Sequence, residues 1–186
     1  MPRKIEFFFD IASPYSFLAA LQIPRLERLA GVEWRPFLIG GVFKAANNVM
    51  PAANPAKGQY MLQDLKRLFA YHGEPFRWPS RFPMNSLQVM RCITALPQAE
   101  RPAATLKLYR AYWADDRDLA DPAVLTELLG ADVVARATDE AVKTELREAT
   151  ESAAGRGAFG APTFFLGDDM YFGEDRVFLI EHALGS

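Results

Sequence analysis

The sequence predicts an α/β fold in which a β-α-β unit and a β-β-α unit flank one long helical insertion. Three observations carry this expectation. Bulky runs of strand character stand near the two ends of the 186-residue chain. Helical periodicity, broken by prolines, fills the stretch from Gly58 to about Ala153. A strand, a helix and a second strand fit one after another ahead of that stretch, as a right-handed crossover unit with parallel strands requires.

In order, residues 4–10 form a short bulky run that ends at a polar residue, which suits a buried strand. Ser13-Pro14 comes next, and Tyr15 to Leu29 has helical periodicity. Serine is a favoured N-cap and proline a favoured first helical residue, so a helix is expected to begin there. Pro24 lies inside the pattern and is expected to kink or split it. Gly31 is expected to close it, where a positive φ is cheap. Val32 to Phe37 alternates and gives the second strand. In the middle, Met61, Leu65, Leu68 and Phe69 mark one apolar stripe, Leu87, Met90 and Thr94 a second, and Leu106, Tyr109, Tyr112 and Trp113 a third. Asp121-Pro122 opens a short helix ending at Gly130, and Asp139 is expected to cap one running towards Gly155. Gly160-Ala161-Pro162 leads back into a β-rich run, Thr163 to Leu166. A turn at Gly167-Asp168-Asp169 and a returning strand at Met170-Tyr171-Phe172 follow. Glu174 to Leu184 reads as a closing helix with acids in its first turn. This is the order of a thioredoxin-like fold with a large all-helical domain inserted between the β-α-β and β-β-α halves. Residues 1–50 and 155–186 are expected to form the thioredoxin-like domain and 51–154 the inserted helical domain.

Composition narrows the function. Half the residues are apolar and 12% are aromatic, enough for a full core, and the net charge of −2 gives no basic excess for nucleic acid. No apolar run approaches the roughly 18 residues of a membrane span, and the charged start does not suit a signal peptide. The single cysteine, Cys92, excludes an internal disulfide, and with only two histidines beside it a His/Cys metal site is not expected. A reducing, cytoplasmic setting is the expectation. Cys92 sits mid-helix on an apolar pattern and reads as inert packing.

Several blocks resemble a known family. Phe9-Asp10-Ile11-Ala12-Ser13-Pro14-Tyr15-Ser16 is similar to the opening of the kappa-class glutathione transferases and the 2-hydroxychromene-2-carboxylate isomerases, both of the Dsb-type thioredoxin superfamily. The resemblance continues through Trp34 to Phe43, Asn54 to Met61, Arg81 to Asn85, Gly160 to Phe164 and Phe172 to Arg176. It thus spans nearly the whole chain in the family's order. The Leu-Ile-Gly-Gly-Val-Phe block and the Phe-Gly-Glu-Asp-Arg block look more like the bacterial isomerases.

The resemblance implies glutathione as cofactor and Ser13 as the catalytic residue. Redox members carry a cysteine at this helix N-terminus, whereas here both ends of the C-x-x-C are serine, Ser13 and Ser16. Such a position favours an anion and could hold the thiolate of glutathione, with Ser13 donating to it. The plain alternative is an ordinary N-cap. The family's proline before its third strand is cis, which implies the same for Ala161-Pro162 and presents Ala161 backbone groups to a bound peptide. Asp175 would meet the ammonium of the γ-glutamyl end, with Glu174 contributing backbone. Asn48 and Lys57, nine positions apart, match a glutathione-binding pair, and Asn54 is a rival for the asparagine role. Phe37, Asn54, Tyr60, Arg81 and Asn85 are the expected substrate contacts. The implied activity is a glutathione-dependent isomerase. It would interconvert 2-hydroxychromene-2-carboxylate and trans-o-hydroxybenzylidenepyruvate, or a related aromatic catabolite, by transient thiol addition. A kappa-type transferase or peroxidase, and a non-catalytic peptide-binding module, stand as alternatives. A small aromatic acid is the implied substrate and a homodimer the implied assembly.

Overall fold

Phe7, Phe8 and Phe9 are each fully buried, so the strand that carries them has no solvent face and must lie inside a sheet covered on both sides. The computed structural model, which describes residues 3–50 and 53–185, places it there. β1 (Lys4–Phe9) pairs in parallel with β2 (Gly31–Pro36) and antiparallel with β3 (Thr163–Leu166). The edge strand β4 (Asp169–Phe172) pairs antiparallel with β3, giving the order β2-β1-β3-β4. Phe7 stands opposite Trp34 on one side and Phe164 on the other.

The two faces of this sheet bury different things. On one, Phe7, Phe9 and Phe164 stack at 4.9–5.1 Å and join the large core beneath the first helix and the insertion. On the other, Phe8 meets Phe37 and Phe165 edge-on, within a smaller cluster that includes Val42, Ala149 and Ala153.

α1 (Pro14–Glu27) connects β1 to β2. The Ser13 hydroxyl caps it by accepting the Ser16 N–H at 3.2 Å, and Pro14 occupies the first turn as expected. Pro24 does not split the helix. Its ring is exposed while Ile23 and Leu26 on either side are buried, so core packing holds the turn where one hydrogen bond is lost. Gly31 takes no positive φ and opens β2 instead.

Seven helices separate β2 from β3, and no strand occurs between them among the described residues. They are α2 (Ile39–Ala45), α3 (Pro55–Tyr71), α4 (Leu87–Thr94), α5 (Arg101–Trp113), α6 (Pro122–Leu129), α7 (Ala131–Arg136) and α8 (Glu140–Gly155). The stripes through Met61, Leu65 and Phe69 and through Tyr109, Tyr112 and Trp113 are buried. Asp121 caps α6 through the Ala123 N–H at 2.8 Å, and Gly130 ends it at φ +91°. Asp139 holds the cap position of α8 but makes no side-chain cap bond. α2 and α7 have no clear sequence signal. α2 contains Gly40-Gly41, and a Cβ on Gly41 would stand 2.8 Å from the Thr150 methyl, so glycine is what lets α2 lie against α8. At the end of the chain the expected single helix divides into a 3-10 turn, Glu174–Arg176, and α9 (Val177–Gly185).

Candidate functional site

The end of β1 turns sharply into α1, and the turn carries Ser13. Its N–H donates to the Asp10 carbonyl at 3.0 Å, and its buried hydroxyl donates to the Ala161 carbonyl at 2.9 Å. One side chain thus joins the start of the first helix to the residue before Pro162, across 148 positions of sequence. The Ala161–Pro162 bond is cis, as is Phe82–Pro83.

These groups open onto a cavity of about 950 Å³ between the sheet and the insertion. Ser13, Asn48, Asn54, Lys57, Ala161, Pro162, Glu174 and Asp175 all line it, so the structure brings together every sequence-predicted cofactor contact. Asn48 is committed to the wall itself: its amide donates to the Phe159 carbonyl at 3.0 Å and its oxygen accepts the Val49 N–H at 2.8 Å. Asn54 caps α3 by accepting the Lys57 N–H at 3.2 Å, and its amide nitrogen has no partner among the described residues. Neither has the Lys57 ammonium.

The cavity also carries three acids in its lining. Asp64 and Asp175 line it with Glu174, which is half-buried and held by Gln22 through its carbonyl at 3.1 Å and its carboxylate at 3.4 Å. Burial first, then the neighbouring charge of Asp175, pushes the Glu174 carboxyl above its ordinary value, and the Gln22 hydrogen bond offsets part of this. Burial, with the charges of Asp64 and Glu174 added, also pushes Tyr15 up to about 12, so its phenol stays protonated at neutral pH and is a donor.

The expected substrate contacts are dispersed. Phe37 is fully buried in the cluster behind the sheet, packed on Phe8 at 5.7 Å, and does not reach the cavity. Arg81 points outward to an ion pair with Asp118 at 3.3 Å. Asn85 accepts the Leu87 N–H at 3.1 Å at the start of α4. Tyr60 lines an adjoining groove with Tyr15, Lys57 and Met61. The apolar wall is instead formed by residues that carried no assignment, among them Ile39, Phe43, Met84, Phe159 and Phe172. Phe43 belongs to a block noted for its resemblance alone, and Asp64 had no signal beyond an acid on a helix. Cys92 is buried outside the cavity, where burial pushes its thiol up to about 11 and keeps it unreactive.

A thioredoxin-type sheet whose first helix starts at a capped serine, facing a cis proline, defines a thioredoxin-class protein without a redox cysteine pair. The family model of the DSBA-like thioredoxin domain matches residues 4–185, and the chain belongs to that family. The human protein named glutathione S-transferase kappa 1 is 33% identical over 100% of this chain and 92% of its own length. The 2-hydroxychromene-2-carboxylate isomerase of Sphingobium xenophagum is 32% identical over 99% of each chain. A solved structure of a 2-hydroxychromene-2-carboxylate isomerase superimposes with a TM-score of 0.85 at 28% identity, over 98% of this chain and 94% of the other. No helix among the described residues is long and apolar enough to cross a membrane.

Proposed function

We propose that the cavity binds glutathione, with its sulfur at Ser13, and that the protein is a glutathione-dependent isomerase of an aromatic acid, acting in the cytoplasm. The observation that carries this reading is the convergence of Ser13, Ala161, Lys57 and the acids Glu174 and Asp175 on one cavity. Glutathione is a zwitterion with two carboxylates and one ammonium, and the charged lining supplies a lysine without a partner among the described residues and three acids. The volume lies within the range of about 300–1,000 Å³ usual for small-ligand sites.

When bound, glutathione supplies a thiol that can add to a conjugated carbon and leave again after bond rotation. The chain's own residues have three tasks. The start of α1 and the Ser13 hydroxyl stabilise a thiolate there. That hydroxyl has one proton, held by the Ala161 carbonyl in the free protein, so serving the sulfur requires the proton to change partner. Lys57 and the Asn54 amide bind carboxylate, and Asp175 binds the ammonium. Phe43, Phe159 and Phe172 offer an apolar surface, with the Phe159 and Phe172 rings 4.4 Å apart and tilted against one another. The named substrate pair, 2-hydroxychromene-2-carboxylate and trans-o-hydroxybenzylidenepyruvate or a close relative, comes from the likeness to the isomerases.

A kappa-type transferase is the second reading, favoured by the human relative being as similar as the isomerase. Incubation of the enzyme with glutathione and the chromene acid separates them. An isomerase yields the ring-opened acid and returns all the glutathione, whereas a transferase consumes it with an electrophile. No change to either compound, with no glutathione binding by calorimetry, overturns both.

Ser13→Ala is expected to raise the pKa of the bound thiol by about one to two units. Losing a hydrogen bond to a charged group costs about 1.5–3 kcal/mol, and one unit is about 1.4 kcal/mol. Loss of the N-cap should also lower stability by about 1 kcal/mol. Thiolate absorbance against pH measures the first effect, and an unchanged titration reduces Ser13 to a cap.

A further inference from the structure

Asp10 is fully buried, and its carboxylate receives three donors from three segments. Oδ1 accepts the Ala12 N–H at 2.9 Å, while Oδ2 accepts the Ile39 N–H at 2.9 Å and the Ser86 hydroxyl at 3.0 Å. Its carbonyl accepts the Ser13 N–H at 3.0 Å and the Tyr109 hydroxyl at 3.2 Å. Ala12 adjoins Ser13, Ile39 begins α2, and Ser86 follows the loop containing Phe82, Pro83 and Met84. All three segments contribute walls of the cavity.

We propose that Asp10 is a positioning residue for the glutathione site, whose carboxylate in its anionic form ties the Ser13 turn, the start of α2 and the loop before α4 into one rigid wall. The assignment rests on the glutathione reading above. The chemistry of the donors carries it. All three are hydrogen donors, two of them backbone N–H groups that cannot turn round. An anion accepts from all three. An asparagine must place an NH2 opposite either Ala12 or Ile39, so one wall segment loses its tie. A protonated acid keeps only a weak acceptor on its hydroxyl oxygen, and its hydrogen must turn the Ser86 hydroxyl round or displace one of the two N–H groups, so the ties loosen.

This buried charge is held against the preference of the fold. Burial pushes the Asp10 carboxyl up, and the bonds from Ala12, Ile39 and Ser86 offset only part of that. Tyr109 on α5 faces it, and its phenol is driven well above its usual value by burial and stays neutral. Because the folded pKa lies above the unfolded one, Asp10's contribution to stability is complete at low pH and is lost as pH rises through the folded value. Site affinity should run the other way, falling as the acid takes up its proton. A role confined to holding the fold together would make the two move in the same direction.

The test uses the full chain and S-methylglutathione, which has no thiol to titrate. Affinity is measured by calorimetry from neutral pH down through the acid range. Amide resonances of Ala12 and Ile39, followed in the free protein, locate the Asp10 titration without any ligand. Affinity should fall at least about tenfold with the midpoint those resonances report. Ser86→Ala removes one bond to the anion, so it should move both midpoints to higher pH together. Glu174→Gln removes the other raised acid in the cavity, so any part of the affinity curve that belongs to Glu174 disappears, while the Ala12 and Ile39 resonance midpoint should stay in place. Asp10→Asn should lose about tenfold in affinity at neutral pH with little change in melting temperature. If wild type binds neither glutathione nor its S-methyl form, the glutathione reading itself fails. If it binds but affinity ignores the Asp10 midpoint, or Ser86→Ala shifts neither curve, the positioning role is overturned. Should Asp10→Asn not fold, the Ser86→Ala and pH results decide alone.

Discussion

Replacing Arg101 with alanine is expected to lower the unfolding free energy by about 3–5 kcal/mol, because the carbonyls of Thr94 and Leu96 lose their side-chain donor, at about 1–3 kcal/mol each, together with the packing of the buried side chain. Arg101 is 5% exposed, and its guanidinium fans out to the carbonyls of Leu96 at 3.0 Å, Thr94 at 2.8 Å and Trp34 at 3.3 Å. Thr94 ends α4 and Leu96 lies just beyond it, where no further helical N–H can serve their carbonyls, and Trp34 belongs to β2. One side chain thus closes a helix and pins it to the sheet. It also meets Glu145 of α8 at 2.7 Å, but that carboxylate is 53% exposed. Glu145→Gln should therefore cost no more than about 1 kcal/mol. Arg101→Lys should lie between the two, because an ammonium cannot reach three carbonyls in a fixed fan. For a chain of this length the alanine variant should melt on the order of 10 °C lower. Urea unfolding with an unchanged slope would measure the difference directly. If Glu145→Gln proved as damaging as Arg101→Ala, the ion pair and not the carbonyl network would be what matters.

The largest effect on the site is expected from Gly173→Ala, a change of one methyl group. Gly173 sits at φ +104° and ψ +154°, a region open essentially to glycine alone. Its N–H donates to the Pro162 carbonyl at 3.1 Å, which fixes this conformation to the loop beside Ser13. A Cβ there would stand 2.5 Å from Asp175 Oδ1. The Asp175 side chain is exposed and short, so it can swing aside at little cost to the fold, but it then leaves the cavity. Stability should fall by about 1–3 kcal/mol from the backbone strain. Glutathione affinity should fall by roughly ten- to a hundredfold through loss of a charge-assisted hydrogen bond worth about 1.5–3 kcal/mol. Gly167→Ala is the control, since Gly167 also has positive φ, at +63°, with nothing within 4 Å of its added Cβ. It should lose stability and keep affinity. Wild-type affinity in Gly173→Ala would remove Asp175 from the site.

What the sequence determined by itself was whatever depends on neighbours a few residues apart. Ser13-Pro14 announced the start of α1 because a cap bond reaches only to Ser16. The stripes on α3 and α5 announced a buried face because side chains three and four apart share one side of a helix. The family blocks located Lys57, Ala161-Pro162 and Glu174-Asp175, and folding gathered all of them at one cavity. Tertiary structure alone decided which way ambiguous residues faced. Phe37 alternates correctly for a strand, but alternation does not say which face looks onto a site, and packing with Ala149 and Ala153 turned it to the sealed one. Arg81 and Asn85 had plausible chemistry for a carboxylate, yet Asp118 and the Leu87 N–H, nearer partners, engaged them first. Asn48 and Asn54 were indistinguishable in sequence until Phe159, more than a hundred positions away, claimed the amide of Asn48. Asp10 read only as the polar end of a strand. The donors to its buried carboxyl come from Ile39 and Ser86, 29 and 76 positions along the chain. Hydrogen bonds over such separations leave no periodicity or local pairing to read, because the segments they join meet only when the sheet and the helical insertion close on one another.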